Sequence, residues 1–427
     1  MKNNPSFYTT FLSCLLLTLL FETACSSSAK SGYSDNKEQK DTQRKLPIAL
    51  SSQLSKAADH YAALVTTAKK NNKIPRSVEE DGEMMWVHDG FDWTEGFFPG
   101  SLWYLYALTG DQKWKADAGF FQELIKEDRF YSNHDLGFVF NNSFGNGLRL
   151  TGQKSYEKVL VDAANTLLER YDPKVESIKS WDTDKGWQSE RGWQYPVIID
   201  NMMNLELLFE VSKLTGDPKY ADIAIKHANT TLANHFRDDY SSYHVVDYDS
   251  LTGAVRKKER AQGAAHESSW ARGQAWGLYG FTMCYRYTNN ETYLEQAKNI
   301  ASFILSNPEI KSNSIPFWDY DAPGIPNEPK DASAAAITAS ALIELSNYLE
   351  EGYLDSAKEM ISTLSGSKYF AQNGANHHFL LMHSVGSIPH GAEIDKPLNY
   401  ADYYYLESLF RLKNKGITAI DTAGHQN

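Results

Sequence analysis

The 427-residue chain has only three cysteines, Cys14, Cys25 and Cys284. Two of them fall in an apolar N-terminal stretch, so the body keeps a single thiol and no internal disulfide is possible. There is no Cys/His cluster spaced for zinc, no EF-hand and no Gly-rich phosphate loop. Positive charge is in deficit: 42 Lys and Arg face 54 Asp and Glu, a net charge of −12. That balance argues against nucleic acid or an anionic membrane as partner. A small anionic substrate stays open, because it responds to local charge in a pocket. Few stretches alternate with period two, which argues against a sheet-based fold.

The N-terminus reads as an export signal. Lys2 supplies the positive start, and residues 11–21 are apolar but too short to span a bilayer. Thr23-Ala24-Cys25 then sets small residues before a cysteine, as at a bacterial lipoprotein cleavage site, although Glu22 is an unusual neighbour there. The expectation is a signal over residues 1–25, with Cys25 as the lipidated end and the periplasm as destination. Residues 26–45 are polar and read as a flexible tether. No composition break divides residues 46–420, which are taken as one domain.

Apolar residues in the body recur at spacings of three and four, as in Leu102, Leu105, Tyr106 and in Leu160, Ala163, Ala164, Leu167, Leu168. These are amphipathic helices. A second such region is the Ala- and Leu-rich run over 334–349. A weak repeat links the helices: Leu108-Thr109-Gly110-Asp111 before Trp114, Leu150-Thr151-Gly152 before Tyr156, Leu214-Thr215-Gly216-Asp217 before Tyr220, and Tyr287-Thr288-Asn289-Asn290 before Tyr293. In each, Gly or Asn ends a helix in the left-handed conformation and the aromatic packs the next helix back onto it. Uneven spacing suits helical hairpins closing into an α/α toroid better than an open solenoid. Long connections over 172–195 and 235–268 are the natural place for a site. Tyr243, Val245, Val246 and Tyr248 in the second suit a short hairpin.

Aromatics make up 13% of the chain, with 10 Trp and 25 Tyr. They serve either a Trp-rich core or a sugar site, whose pyranose faces pack on aromatic rings. Two aspartates stand out. Asp135 lies in His134-Asp135-Leu136-Gly137-Phe138, and Asp200 follows Val197-Ile198-Ile199. Burial among apolar neighbours raises a carboxyl pKa, as a neutral-pH general acid requires. The plainer reading makes both helix N-caps. Arg272, in Trp270-Ala271-Arg272-Gly273-Gln274-Ala275-Trp276, suits a carboxylate, and Trp276 a sugar ring. The plainer reading is an Arg lying over a Trp. Glu95, beside Trp93, is either a third acid or a cap for the helix through Trp103.

Taken together, Asp92-Trp93-Thr94-Glu95-Gly96-Phe97, His134-Asp135-Leu136-Gly137-Phe138, Ile198-Ile199-Asp200-Asn201-Met202-Met203-Asn204-Leu205, Ser241-Ser242-Tyr243-His244, Trp270-Ala271-Arg272-Gly273-Gln274-Ala275-Trp276, Asp331-Ala332-Ser333-Ala334-Ala335 and Asp402-Tyr403-Tyr404-Tyr405-Leu406-Glu407 resemble, in order, the segments of glycoside hydrolase family 88, the unsaturated glucuronyl hydrolases. The resemblance implies an all-α (α/α)6 barrel with no metal and no organic cofactor. It implies Asp200 as general acid/base and Asp135 as its essential partner. It places Trp93, His134, Trp181, His244, Gln262, Arg272 and Trp276 at substrate-contacting positions. The implied substrate is an unsaturated uronate-terminated di- or oligosaccharide left by a polysaccharide lyase. The implied chemistry protonates C4 of the C4=C5 double bond and adds water at C5. The resulting hemiketal opens and releases the shortened sugar. This differs from two-carboxylate hydrolysis that protonates the glycosidic oxygen.

One departure bears on the substrate. Members that prefer 6-sulfated chondroitin disaccharides carry Ser-x-x-Ser-x-Lys, where this chain has Ser387-Ile388-Pro389-His390-Gly391-Ala392. The second Ser and the Lys are missing, which points away from 6-sulfated galactosamine. Three other readings compete. An unsaturated rhamnogalacturonyl hydrolase shares the barrel but not the His-Asp-Leu-Gly-Phe segment. A sugar 2-epimerase, with His244 and His266 as bases, leaves both aspartates without a role. A glycan-binding surface lipoprotein needs no buried carboxylates.

Overall fold

The computed structural model describes residues 48–87 and 90–420. The export signal and tether expected over residues 1–45 lie outside the described residues. In chain order the helices are α1 (Leu50–Asn71), α2 (Phe97–Thr109), α3 (Gln112–Ile125), α4 (Asn146–Thr151), α5 (Ser155–Leu168), α6 (Leu205–Thr215), α7 (Lys219–Asn234), α8 (Ala271–Thr288), α9 (Glu291–Ser306), α10 (Pro308–Asn313), α11 (Ala332–Leu345), α12 (Tyr353–Leu364) and α13 (Asn399–Asn414). A π-helical segment, Gly137–Gly145, leads into α4, and a 3-10 turn, Ile199–Asn204, leads into α6.

The repeat read from the sequence builds four of the hairpin turns. Gly110, Gly152, Gly216 and Asn289 take φ of 75°, 67°, 74° and 52° at the ends of α2, α4, α6 and α8. Trp114, Tyr156, Tyr220 and Tyr293, near the start of the returning helices, are all buried. A fifth hairpin joins α11 to α12. The sixth is made by the two ends of the ring: Ile48–Ala49 pairs antiparallel with Ala419–Ile420, and Tyr61 of α1 donates to Asp402 of α13. This is the (α/α)6 barrel.

The inner ring runs α2, α4, α6, α8, α11, α13 and back to α2, with the π and 3-10 segments completing the second and third staves. The inner helices α2, α8, α11 and α13 are buried over most of their length. All fourteen residues of α11 are buried, and its small Ala and Ser side chains let α8 and α13 approach on both sides. Outer helices bury one stripe, as α12 does with Tyr353, Ala357, Met360, Ile361 and Leu364. The staves are close where glycine permits. A Cβ on Gly137 would lie 2.3 Å from Asn204 Cα, so the stave that follows Asp135 touches the stave that follows Asp200 backbone to backbone.

This winding gives the barrel two unlike ends. Short repeat turns close the C-terminal ends of the inner helices. At that end a cavity of about 610 Å³ has a floor of paired charges. Arg286 bridges Glu206 (2.6 Å) and Glu344 (3.0 Å), and Arg411 bridges Glu344 and Glu407. Long connections gather at the other end, where every inner helix begins. Two of them meet in a three-stranded antiparallel sheet, Tyr195–Ile198, Val245–Tyr248 and Val255–Glu259. The expected hairpin at Val245, Val246 and Tyr248 is there, paired on its second edge as well.

Candidate active site

Each inner helix delivers a side chain to one end of the barrel from its first turn or the residues just before it. Before α2, Asp92 Oδ1 accepts from the Thr94 N–H and hydroxyl (2.9 and 2.8 Å), while Glu95 accepts from the Asp92 N–H (3.4 Å). This reciprocal cap fixes Trp93 against Phe138 and Tyr400, with ring centroids 5.5 and 5.0 Å away. Glu95 is therefore structural: burial, then the Asp128 charge, push its carboxyl up to about 10.

The two aspartates do not cap helices. Neither side chain accepts a backbone N–H of its own helix, whereas Asp111, Asn290, Asn307 and Asp331 do so at other helix starts. Asp135 Oδ1 instead accepts from Asn204 Nδ2 (3.2 Å) and lies 3.2 Å from His134 Nε2. Asn204 Oδ1 also takes the Phe138 N–H (2.8 Å), so one amide ties both staves together. Asp200 Oδ2 is buried and has no hydrogen-bond partner. Burial, then the charge of Asp200, push Asp135 up to about 8. Burial holds the His134 imidazole well below its ordinary value, so it stays neutral.

The sheet sets the neighbour of Asp200. The Ile199 N–H donates to the His244 carbonyl (3.0 Å), bringing His244 Nε2 to 3.5 Å from Asp200 Oδ2. His244 Nδ1 accepts from the Ala261 and Gln262 N–H groups (3.3 and 3.0 Å), which puts the ring proton on Nε2, facing Asp200.

A cavity of about 270 Å³ opens over the pair. Trp93, His134, Asp135, Trp181, Asp200, Gln262 and Arg272 all line it. Arg272 is itself buried: it pairs with Asp331 (3.3 Å), donates to the Gly386 carbonyl (2.6 Å) and to the Val385 carbonyl, and lies over Trp270 at 4.5 Å. Among the described residues, no three His, Cys, Asp or Glu side chains converge to hold a metal ion.

The chain that builds this pocket matches known proteins in sequence and fold. The profile of Glycosyl Hydrolase Family 88 covers residues 66–424. The chain belongs to Glycosyl Hydrolase Family 88. It is 44% identical over 365 residues to the unsaturated glucuronyl hydrolase of Formosa agariphila, covering 85% of this chain and 90% of that one. A crystal structure of an unsaturated glucuronyl hydrolase specific for heparin is 45% identical, with a TM-score of 0.81 over 86% of this chain and 99% of the other. A mutant of the Streptococcus agalactiae unsaturated glucuronyl hydrolase, solved in complex with dGlcA-GalNAc6S, is 28% identical, with a TM-score of 0.70 over 85% and 91%. The family 88 protein is thus a glycoside hydrolase of the unsaturated glucuronyl type.

Two expected contacts of this family 88 enzyme need correction. Trp276 is fully buried behind Phe138 and Tyr404, at ring distances of 5.1 and 5.3 Å, and does not reach the cavity. It shares a helix face with Arg272 but sits one turn, about 6 Å, deeper in the barrel. His244 is not among the lining residues either: it packs at a tilt against Trp270, ring centroids 4.6 Å apart, with Nε2 3.5 Å from Asp200 Oδ2.

Several lining residues escaped the sequence reading. Arg76 and Glu393 form a pair (Nε–Oε1 2.8 Å, Nη2–Oε2 3.1 Å), with Arg76 also holding Asp92 at 2.8 Å. Nothing local in the sequence joins positions so far apart. Glu393 has φ of 52° and is buried, so the fold holds it there. Tyr400, Trp187, Gln188 and His390 complete the wall. Trp187 lay within the long aromatic connection, and His390 within the segment departing from Ser-x-x-Ser-x-Lys. Both were legible as site residues.

Proposed function

We propose that the cavity binds the non-reducing-end 4,5-unsaturated uronate of a lyase-generated glycosaminoglycan disaccharide or short oligosaccharide, and that Asp200 and Asp135 perform its hydration. The carrying observation is the pair itself: two carboxyls, neither spent on capping, face one cavity, and one is pushed up to about 8. At neutral pH burial keeps a proton on Asp135. Asp200 has a free oxygen and His244 behind it, and delivers the proton to C4. Its carboxylate then takes a proton from the water that adds at C5. The hemiketal at C5 opens to a ketone as its C5–O5 bond breaks, which leaves C1 a hemiacetal; this collapses to an aldehyde as the C1–O bond to the shortened sugar breaks and that sugar leaves as an alcohol. Asp135, held by Asn204, hydrogen-bonds the sugar hydroxyls and keeps a proton beside Asp200. Trp93 and Trp181 offer ring faces, and Arg272 faces the uronate carboxylate. The printed substrates of the similar enzymes, a heparin-specific one among them, support a glycosaminoglycan source.

The test is loss of ultraviolet absorbance from unsaturated disaccharides of heparin, chondroitin and hyaluronan, with wild type beside Asp200→Asn. Decay with wild type, slowed by about 10²–10⁴-fold in the variant, is expected. No decay on any of them would sink the reading and turn attention to pectin-derived disaccharides.

We further propose export to the periplasm with a lipid anchor at Cys25, on the strength of Lys2, the apolar residues 11–21 and Thr23-Ala24-Cys25. Cleavage of the protein by protease added to intact cells would overturn the periplasmic placement.

A further inference from the structure

Almost every described arginine is neutralised in place. Arg76, Arg129, Arg170, Arg237, Arg256, Arg272, Arg286 and Arg411 each meet a carboxylate at ion-pair distance. Among the described residues only Arg149, Arg191 and Arg260 have none. Arg149 is accounted for at the far end of the barrel, where Asn141 and Asn146 take its donors. The other two sit side by side at the mouth of the active-site cavity.

Their placement follows from contacts. Arg191 ends the 3-10 turn Trp187–Arg191, lies over the Trp193 ring at 4.8 Å, and donates from Nη2 to the Arg260 carbonyl. Trp187 of the same turn lines the cavity and packs on His390 at 4.8 Å, across the opening. Arg260 immediately precedes Ala261 and Gln262, which also line the cavity, and donates from Nη1 to the Gly263 carbonyl (3.2 Å). Arg191 Nε and Nη1, and Arg260 Nε and Nη2, find no acceptor among the described residues. Both side chains are partly exposed.

The inner cavity contrasts with this rim. Its cations, Arg76 and Arg272, are already paired, and Asp135, Asp200 and Glu393 stand in its wall. Among the described arginines near this cavity, only Arg191 and Arg260 lack a carboxylate partner. With the uronate over the aspartates, the mouth faces the next sugar. The geometry points to Arg191 and Arg260 as a specificity-determining pair that reads a sulfate group on the sugar adjoining the unsaturated uronate. A guanidinium offers two parallel N–H donors to a tetrahedral anion. The indole of Trp193 and the two backbone carbonyls hold the forks in place. This rests on the proposed uronate position and adds what the second sugar carries.

The experiment compares kcat/KM for a lyase-derived disaccharide with and without sulfate on the hexosamine. It uses wild type, Arg191→Gln, Arg260→Gln, the double variant, and Arg191→Lys, with thermal melts to show that each is folded. The sulfated-to-unsulfated ratio is expected to fall on the order of tenfold in the double variant, and Arg191→Lys is expected to keep much of it. Added salt should lower the wild-type ratio more than the double-variant ratio. A ratio that does not move, or turnover of both substrates falling in parallel, would overturn the assignment. The same comparison by disaccharide Kd in an Asp200→Asn background needs no turnover. Failure to hydrate any unsaturated disaccharide would therefore count against the proposed function and leave the rim pair separately judged.

Discussion

Asn204→Ala tests whether the two staves hold the carboxyl pair in its working state. The side chain has two partners, Asp135 Oδ1 at 3.2 Å and the Phe138 N–H at 2.8 Å, and both are buried. Truncation leaves the Phe138 N–H without an acceptor, which costs about 1–3 kcal/mol. It also removes the donor that opposes the upward push on Asp135. The Asp135 carboxyl, at about 8 in the native protein, then moves higher, by on the order of one pH unit for a hydrogen bond to a charged group. Asp135 carries its proton in the active form, so wild-type kcat/KM should fall as pH rises through about 8. In Asn204→Ala that alkaline limb should shift upward while the maximum rate drops. The assay is the absorbance decay of one unsaturated disaccharide from pH 5 to 10, with urea unfolding alongside. A limb that stays put or moves to lower pH would refute the link between Asn204 and the pair.

Three further outcomes are expected. Glu95, Asp135 and Asp402 are pushed up to about 10, 8 and 7, chiefly by burial; unfolded carboxyls titrate near 4. The native state keeps protons that the unfolded chain has lost, so stability should fall as pH rises from about 4 through these values; a melting midpoint higher at pH 9 than at pH 5 would contradict this. Gly137→Ala drives a Cβ into the Asn204 backbone and should cost at least about 1–3 kcal/mol together with most activity; a variant with wild-type melting would show that the staves can part. Cys284 is fully buried, and burial pushes its thiol up. It should resist thiol reagents in the native protein and react on unfolding, which a rapid native-state reaction would disprove.

What the sequence revealed follows from the range of the interactions involved. The Gly and Asn turns were readable because the left-handed residue and the aromatic beyond it lie within a few positions of each other. Asp135 and Asp200 were readable as a pair because both follow a connection and open a stave. Their freedom from capping was not, since an N-cap and a cavity acid look alike before side-chain partners are known. Trp276 was misplaced because helical phase puts it on the same face as Arg272 without giving depth along the barrel. His244 was misplaced because the sheet register, Ile198 opposite Val245, is what turns it behind Asp200. The pairing of Arg76 with Glu393 joins the first connection to the last and leaves no local trace.

Because every inner stave contributes from its leading end, the pocket is stitched from segments spread from Arg76 to Tyr400. No single helix and its connection holds it all. While the chain is being made, Asp135 and Asp200 exist without the Arg76–Glu393 wall and without Tyr400. The ring gains that wall only when α13 docks between α11 and α2 and Ile48–Ala49 pairs with Ala419–Ile420. Contacts of such long sequence separation form late and slowly. Turnover is therefore a reporter of complete ring closure: an unfinished barrel is a silent one.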